Sequence, residues 1–540
     1  MTLSEEVLTR LVYREYWEKP FSEWGDMETW DHFFFIKNNR DVKDQLSHDA
    51  LANLKKQVET LKQQQQLDGR QLSSLNLNTQ NHNNVQDENI QEILNMKPPS
   101  VSARHSVFFK EVQNPSSAIL NHRPYKCLGP PVFFYNKVFN KFVTDFRNED
   151  LPISKVVLEM VDPLIQDMSK GYDSEDDRLD CFEKYLRKII WPIEKISNKD
   201  KTSSDGVVTE PVESFHESAL LFLLEIKNEI GTGFSDPTIQ GSLSYVRRWA
   251  QERFRDFRRS CNCPSIIIAL AGPWICILGS VYLEKGIIDP LTTFIPLVPF
   301  HHYSYHKRIS RLFEALLHAF DYLKNYYEGL TLSKDVNCQW FYPFPREYQD
   351  DKKMNISFTY DDWFTEDHNK FIWRATTDKQ CKIVVKLAQT YNEIAHKLCA
   401  VNGFAPKLLY VNKTVVDGWW FIVMELIEGV TLCDDEITDK EYLIIMNDVT
   451  KVIHLLHGKN LVFGDLRSTN IIIRKADNKI QTMVFEFDSC GEHQISCYQP
   501  SMSSTIEGPP GAEAYALLDK SHDLYWLDVF RKKRSLLFSS

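Results

Sequence analysis

Four side chains in the last third of the chain have the types and the order that handling a phosphate ester would need. Lys386 sits near the end of an apolar run, Cys381 to Leu387 (CKIVVKL), that reads as a strand, and Glu393 lies on the helical stretch Thr390 to Val401 that follows. An ammonium can neutralise phosphate oxygens, and a carboxylate on a neighbouring helix can hold that ammonium in place. Further on, the run Leu461 to Ile473 (LVFGDLRSTNIII) sets Asp465 and Asn470 five residues apart. The first could accept the proton of an attacking hydroxyl and the second could ligate a metal ion. Val484-Phe-Glu-Phe-Asp then adds Glu486, a carboxylate for the same ion.

Such groups need a frame. Trp419 to Ile427 (WWFIVMELI) reads as a buried strand ending in a carboxylate, and Tyr442 to His457 reads as a helix with Ile445, Val449, Val452, Ile453 and Leu456 at helical spacing. Two apolar strands and a tight turn fill the stretch between Asn470 and Val484. Taken in order, Lys386, Glu393, Met424 to Ile427, Gly464-Asp-Leu-Arg-Ser-Thr-Asn470 and the late Ser521-His-Asp-Leu resemble the protein-kinase-like domains of fungal crinkler-type effector proteins. The resemblance covers roughly Trp363 to Phe530 and implies a bilobal protein-kinase-like fold with a minimal C-lobe. It implies ATP and Mg2+ as cofactors, Met424 as gatekeeper, and Glu425 to Ile427 as the hinge that holds adenine. Lys386 would then meet the phosphates, Glu393 would hold Lys386, and Asp465 would be the base. Asn470 and Glu486 would bind magnesium, and Asp523 would anchor the catalytic loop. The implied activity is ATP-dependent phosphoryl transfer to a protein hydroxyl.

The chain also departs from that pattern. Phe463 replaces the usual histidine of the catalytic loop, Glu486 replaces an aspartate, and Phe371 to Lys382 has no glycine where a phosphate-covering loop would lie. No Ala-Pro-Glu ends the activation segment. A glutamate oxygen lies one methylene further out than an aspartate oxygen, which matters to the tight octahedral shell of magnesium. An inactive binding scaffold that keeps the fold is therefore an alternative reading.

A second constellation lies upstream. Asp205 starts one strand-like run, and Leu221-Phe-Leu-Leu-Glu-Ile-Lys places Glu225 and Lys227 two apart on another, where they share a face. With Gln240 and Tyr245 on the following helix, and Glu183 as the weakest member, the set resembles the core of PD-(D/E)XK nucleases over Cys181 to Tyr282. That likeness implies Asp205 and Glu225 as metal ligands, and Asp205, Glu225 and Lys227 as the catalytic set of a metal-dependent nuclease. The ordinary alternative is a solvated strand end carrying an ion pair. Tyr245 to Arg259 (YVRRWAQERFRDFRR) has six arginines among aromatics and could track nucleic-acid phosphates, or could be an amphipathic helix with a basic outer face.

At 540 residues the chain exceeds one core, and domains of roughly 100–200 residues imply two or three. The expected fold class is mixed, α+β, with an α/β nuclease-like region ahead of the kinase-like fold. Its expected parts are an N-terminal segment with a short amphipathic helix (1–62), a Gln/Asn-rich flexible linker (63–105), the nuclease-like region (106–330), a connector (331–362) and the kinase-like domain (363–540). The helix, with Leu51, Leu54, Val58 and Leu61, could pair with a copy of itself in a homo-oligomer. A net charge of -11 opposes indiscriminate binding to nucleic acid or anionic membrane. Eleven scattered cysteines without a CxxC pair, and a start without a secretory signal, point to a reducing intracellular compartment. Arg531-Lys-Lys-Arg would serve as a nuclear import signal or as a solvated tail. Ser265 to Leu283 is long and apolar enough for a membrane span, but Gly272-Pro273 breaks it, so two buried strands and no membrane are expected.

Overall fold

The computed structural model describes residues 75–538, except 113–118, 125–126, 199, 333–337, 365–369, 417, 434–436, 477–478 and 501–507. The chain divides into two compact units, Met1–Asn81 and His82–Ser540. The first lies almost wholly outside the described residues, as does the amphipathic helix expected over 51–61. The second unit contains two halves, each built on a large sheet.

In the first half, α1 (Leu75–Asn95) leads to β1 (Ile119–Leu120), and α2 (Lys137–Arg147), α3 (Lys155–Met168) and α4 (Glu175–Leu186) follow. Next come β2 (Gly206–Val212), β3 (Glu217–Lys227), α5 (Pro237–Trp249), β4 (Ser265–Ala271), β5 (Trp274–Tyr282), β6 (Gly286–Pro290) and β7 (Ile295–Pro296). They form a seven-stranded sheet of order β1-β6-β5-β4-β3-β2, with β7 on β5, and α6 (Tyr303–Glu328) closes the half. β2 is antiparallel to β3, whereas β4 returns parallel to it after the α5 crossover. The apolar run over 265–283 is thus a pair of buried strands, and no helix among the described residues is long and apolar enough to cross a membrane.

β3 is buried from Ala219 through Lys227, so both of its faces must be covered. Alternation assigns them. The ring of Phe222 lies 6.3 Å from that of Phe320 on α6, whereas Leu223 and Glu225 face α5. The approach of α5 needs Gly241, because a Cβ there would stand 2.7 Å from Ile267 Cγ2. Asp236 starts α5 by accepting from the Thr238 amide, with Pro237 in the first turn.

The flexible linker expected over 63–105 is corrected in its described part. Over residues 82–95 of α1, Gln86, Asn89, Ile90 and Ile93 are buried. The amides that made this stretch look unable to fold are used as donors: Gln86 gives a hydrogen bond to the Leu283 carbonyl and Asn89 to that of Glu284.

The second half begins earlier than expected. The connector assigned to 331–362 contributes β8 (Glu347–Gln349) and most of β9 (Asn355–Trp363) to a sheet completed by β10 (Ile372–Thr377), β11 (Lys382–Ala388), β12 (Leu408–Val416) and β13 (Trp419–Glu425). All neighbours are antiparallel, in the order β12-β13-β11-β10-β9-β8, and α7 (Glu393–Val401) lies between β11 and β12 in the chain. Below follow β14 (Val430–Thr431), α8 (Asp439–His457), β15 (Leu461–Val462), the hairpin β16 (Ile471–Ala476) and β17 (Lys479–Val484), β18 (Gly491–Glu492) and α9 (Lys520–Phe538). A reciprocal capping box of Thr438 and Glu441 starts α8.

Period-two alternation divides this sheet between two cores. Trp373, Ala375, Ile383, Val385, Leu387, Phe421 and Val423 join the core of the first half. Their neighbours Ile372, Val384, Ala388, Ile422 and Met424 face a second core with α7, α8 and β16. Phe134, fully buried, meets the ring of Phe371 at 5.0 Å and that of Trp419 at 4.8 Å, and its carbonyl accepts from the Phe344 amide. The two halves therefore share one hydrophobic interior. Phe134→Ala should cost about 3–5 kcal/mol of stability, as buried Phe truncations do. Because the core is shared, denaturant unfolding followed by tryptophan fluorescence should shift for both halves together; loss confined to one half would contradict a common core.

Candidate functional site

Lys386 belongs by alternation to the second-core face of β11, where it is 4% exposed. Its Nζ lies 2.5 Å from Glu486 Oε2 and 2.7 Å from Asp488 Oδ1. Burial alone would lower the lysine's pKa, but Asp488 and Glu486 more than offset it and hold the ammonium charged well above its ordinary range. Burial likewise pushes against ionised Glu486, yet Lys386 and Lys370, the latter 3.8 Å from Oε1, keep this carboxyl below its usual value. Asp488 is pushed by burial up to about 6. Glu486 also has φ +72°, a left-handed backbone that a glutamate rarely adopts, so its placement is enforced by its surroundings.

The register of the β16–β17 hairpin brings the catalytic-loop candidates to this cluster. Ile471 pairs with Val484, which sets Asn470 opposite Phe485, and the Phe485 amide donates to the Asn470 carbonyl at 3.2 Å. Asn470 Nδ2 in turn donates to Asp465, to the backbone carbonyl at 2.9 Å and to Oδ2 at 2.8 Å. Arg467 Nε lies 2.5 Å from the other Asp465 oxygen. The loop is fixed from behind by Asp523 of α9, whose carboxylate accepts from the amides of Phe463 and Gly464 and meets His457 Nε2 at 2.9 Å. Gly464 is required there: φ is +79°, and a Cβ would stand 2.5 Å from the Ser489 carbonyl oxygen. Phe463, where a histidine was the usual residue, is buried with its ring 5.6 Å from that of Phe487.

A pocket opens beside Lys386 and Glu486. Ile372, Val384, Ile472 and Phe485 are among its apolar walls, and Met424, Glu425, Leu426 and Ile427 line it where β13 ends. Glu425 does not offer its side chain freely, because Oε1 accepts from the Lys407 amide.

Glu393 is not part of this cluster, which corrects the role expected for it. Asn392 caps α7, so Glu393 occupies the first turn, where it pairs with Lys397 at 2.5 Å. The inward face carries Ala395, His396 and Cys399. His396 is buried, stacked 4.6 Å from Phe487, with Nε2 on the Pro406 carbonyl, and burial lowers its pKa to about 4. Sequence reading missed His396 and Asp488. The signal for Asp488 is the order acid, apolar, acid in Glu486-Phe-Asp: Phe487 enters the core while both carboxylates reach Lys386.

The upstream residues also converge, but to a different end. Gly206 pairs with Leu224, which sets Asp205 opposite Glu225, and Asp205 Oδ2 accepts from the Ile226 amide. Glu225 is fully buried; one oxygen accepts from Gln240 Nε2 at 2.7 Å and the other from Ser244 Oγ at 2.6 Å. Lys227 Nζ meets Glu175 at 3.3 Å, while Glu183 pairs with Arg187 and Tyr245 donates to the Cys263 carbonyl. Burial, then the charge of Asp205, raises the Glu225 pKa to about 8. An enclosed carboxyl whose two oxygens are already bonded does not fit a metal ligand, and no group of three or more His, Cys, Asp or Glu suited to a metal occurs among the described residues. Much of the basic stretch over 245–259 is turned inward. Trp249, Phe254 and Phe257 are core residues, and buried Arg247 and Arg258 donate to backbone carbonyls of Ile93, Met96, Trp249 and Gln251. Arg255 and Arg259 are exposed.

No protein-family model and no curated protein matches the sequence. Among solved structures, the chain is similar to the kinase PK-1 of Cydia pomonella granulovirus, at 16% identity and a TM-score of 0.27. The match covers 32% of this chain and 66% of that kinase, just under two thirds of its length.

The Glu225 environment generates a pH prediction. A carboxyl whose folded pKa is raised binds its proton more tightly when folded, so stability falls as pH rises from the ordinary carboxyl value through about 8. Glu225→Gln removes that titration. Its melting temperature should gain on the parent steadily between pH 5 and pH 8.5, and a constant difference across the range would sink the assignment.

Proposed function

We propose that the second half is a protein-kinase-like phosphotransferase that takes ATP with Mg2+ and passes a phosphoryl group to a hydroxyl of a protein substrate. The observation that carries this reading is one apolar pocket ending at Lys386 and Glu486, with Asp465 and Asn470 joined to the same place by hairpin register. Lys386 stands on β11, where it lines the pocket beside Val384, and in kinases too the phosphate-binding lysine is carried by a strand. Adenine would lie between Val384 and Ile472 along the Glu425 to Ile427 turn.

The residues present fit a hard cation. Asn470 spends its amide nitrogen on Asp465, which leaves Oδ1 as an oxygen donor with only a long 3.4 Å contact from Thr469. Glu486 Oε1 is buried without a hydrogen bond. Held by these two oxygens, magnesium would supply positive charge to neutralise the phosphates. The protein's own groups do the rest. Lys386 would neutralise the phosphates, while Arg467 and Asn470 hold the Asp465 carboxylate in one orientation for an incoming hydroxyl proton. The sequence between β9 and β10, Phe364 to Phe371, contains no glycine; Lys370, just before β10, brings an ammonium to the site instead.

Calorimetric titration of the full chain with ATP, with and without Mg2+, tests the reading. Binding should require magnesium and weaken at least tenfold in Lys386→Ala. Asp465→Asn should bind ATP nearly as the parent does while autophosphorylation falls by about 10²–10⁴, the usual worth of a general base. A folded parent that ignores ATP would sink the proposal. Binding with no transfer to any hydroxyl would leave a nucleotide-binding scaffold, and magnesium-dependent DNA nicking lost in Glu225→Ala would move the chemistry upstream.

A further inference from the structure

In the kinase scheme an acid on the helix after the lysine strand holds the lysine, and the position of that helix controls whether the pair forms. Here α7 offers no such acid: Ala395, His396 and Cys399 face inward, and Glu393 pairs with Lys397. Asp488 stands beside Lys386 instead. We propose that Asp488 is the positioning residue of this site, holding Lys386 in place of a helix carboxylate beside Glu486 Oε2, and leaving Glu486 Oε1, with Asn470, for the cation. The purpose of that hold rests on the phosphotransfer reading above.

Two observations separate the duties of the acids. Glu486 follows Phe485, which is hydrogen-bonded to Asn470, and meets Lys386 through Oε2 while Oε1 makes no hydrogen bond. Asp488 lies two residues on, in a segment stapled to the start of α7. The Thr390 hydroxyl donates to the Asp488 carbonyl at 2.8 Å, the Asn392 amide to the Phe487 carbonyl at 3.0 Å, and Asn392 Nδ2 to the Cys490 carbonyl at 3.3 Å. The stacked rings of Phe487 and His396 close the same joint. The acid therefore lies outside the helix but is tied to the residues at its start, which fix it beside Lys386.

Lys386 reactivity tests this without nucleotide. In the full chain, the rate at which an amine-reactive acylating reagent modifies Lys386, read by mass spectrometry, should rise several-fold in Asp488→Asn. It should return toward the parent rate in Asp488→Glu and stay unchanged in Glu393→Gln. Magnesium-ATP affinity should fall at least tenfold in Asp488→Asn, and Lys386→Met with Asp488→Asn should bind no worse than Lys386→Met alone. Parent-like labelling of Asp488→Asn, or faster labelling of Glu393→Gln, would overturn the proposal. The expected labelling pattern in a parent that does not bind ATP would sink the phosphotransfer reading and leave the hold of Asp488 on Lys386 standing.

Discussion

The inner strands β11 and β13 have both faces buried, and the rest of the second half follows from that constraint. Strand periodicity puts Val385 and Leu387 into the interior shared with the first half, and Val384, Lys386 and Ala388 onto the opposite face. A one-residue slip of β11 would exchange the two sets, burying an ammonium among Trp373, Phe421 and Val423. Because that error would leave a charge without a partner, the register is strongly specified. Lys386 is aimed at the pocket by the same apolar contacts that join the halves, so the first half acts as the mount of the site.

The lower wall of the site is held by a different kind of interaction. Asp523 collects two backbone amides and a histidine, which fixes a loop that Gly464 alone could turn so sharply. Charge-assisted hydrogen bonds of this type are stronger than neutral ones, and one acid from α9 thereby orders the segment carrying Asp465. Phe463 and Phe487 then pack edge to face behind it, which makes the floor apolar where a histidine would have brought a further polar group. The polar end of the pocket is thus a small island of Lys386, Lys370, Glu486 and Asp488 whose charges balance, set in an apolar surround.

Legibility in the sequence followed the range of each interaction. The strand carrying Lys386, the helix before Asp465 and the broken apolar run at Gly272-Pro273 are local patterns, and each was readable. The helix over Gln86 to Ile93 was not, because the carbonyls that accept from its amides lie about two hundred residues away. The same holds for the partner of Lys386. Glu393 sits where a helix acid should, but the cap at Asn392 sets its rotation about the axis, and a shift of that start by one residue would move it by roughly 100°. Spacing therefore located the helix without locating the face, and the acids that pair with Lys386, Glu486 and Asp488, come from about a hundred residues further on.

The upstream cluster shows why a motif of acids and lysine is ambiguous before packing is known. Asp205, Glu225 and Lys227 lie together because β2 pairs with β3, and Gln240 and Ser244 meet Glu225 because they are four apart on the face that α5 turns to the sheet. Each of these polar groups satisfies another, as buried polar groups must. The same demand accounts for Arg247 and Arg258, whose guanidinium groups tie down carbonyls at chain bends. Removing one partner from such a network leaves its mate buried and unpaired, at a cost comparable to loss of a core side chain. Residues that a nuclease would need for chemistry are, in this arrangement, needed to close the fold. Their presence in the right order follows from either demand, and the enclosure of Glu225 assigns it to the second.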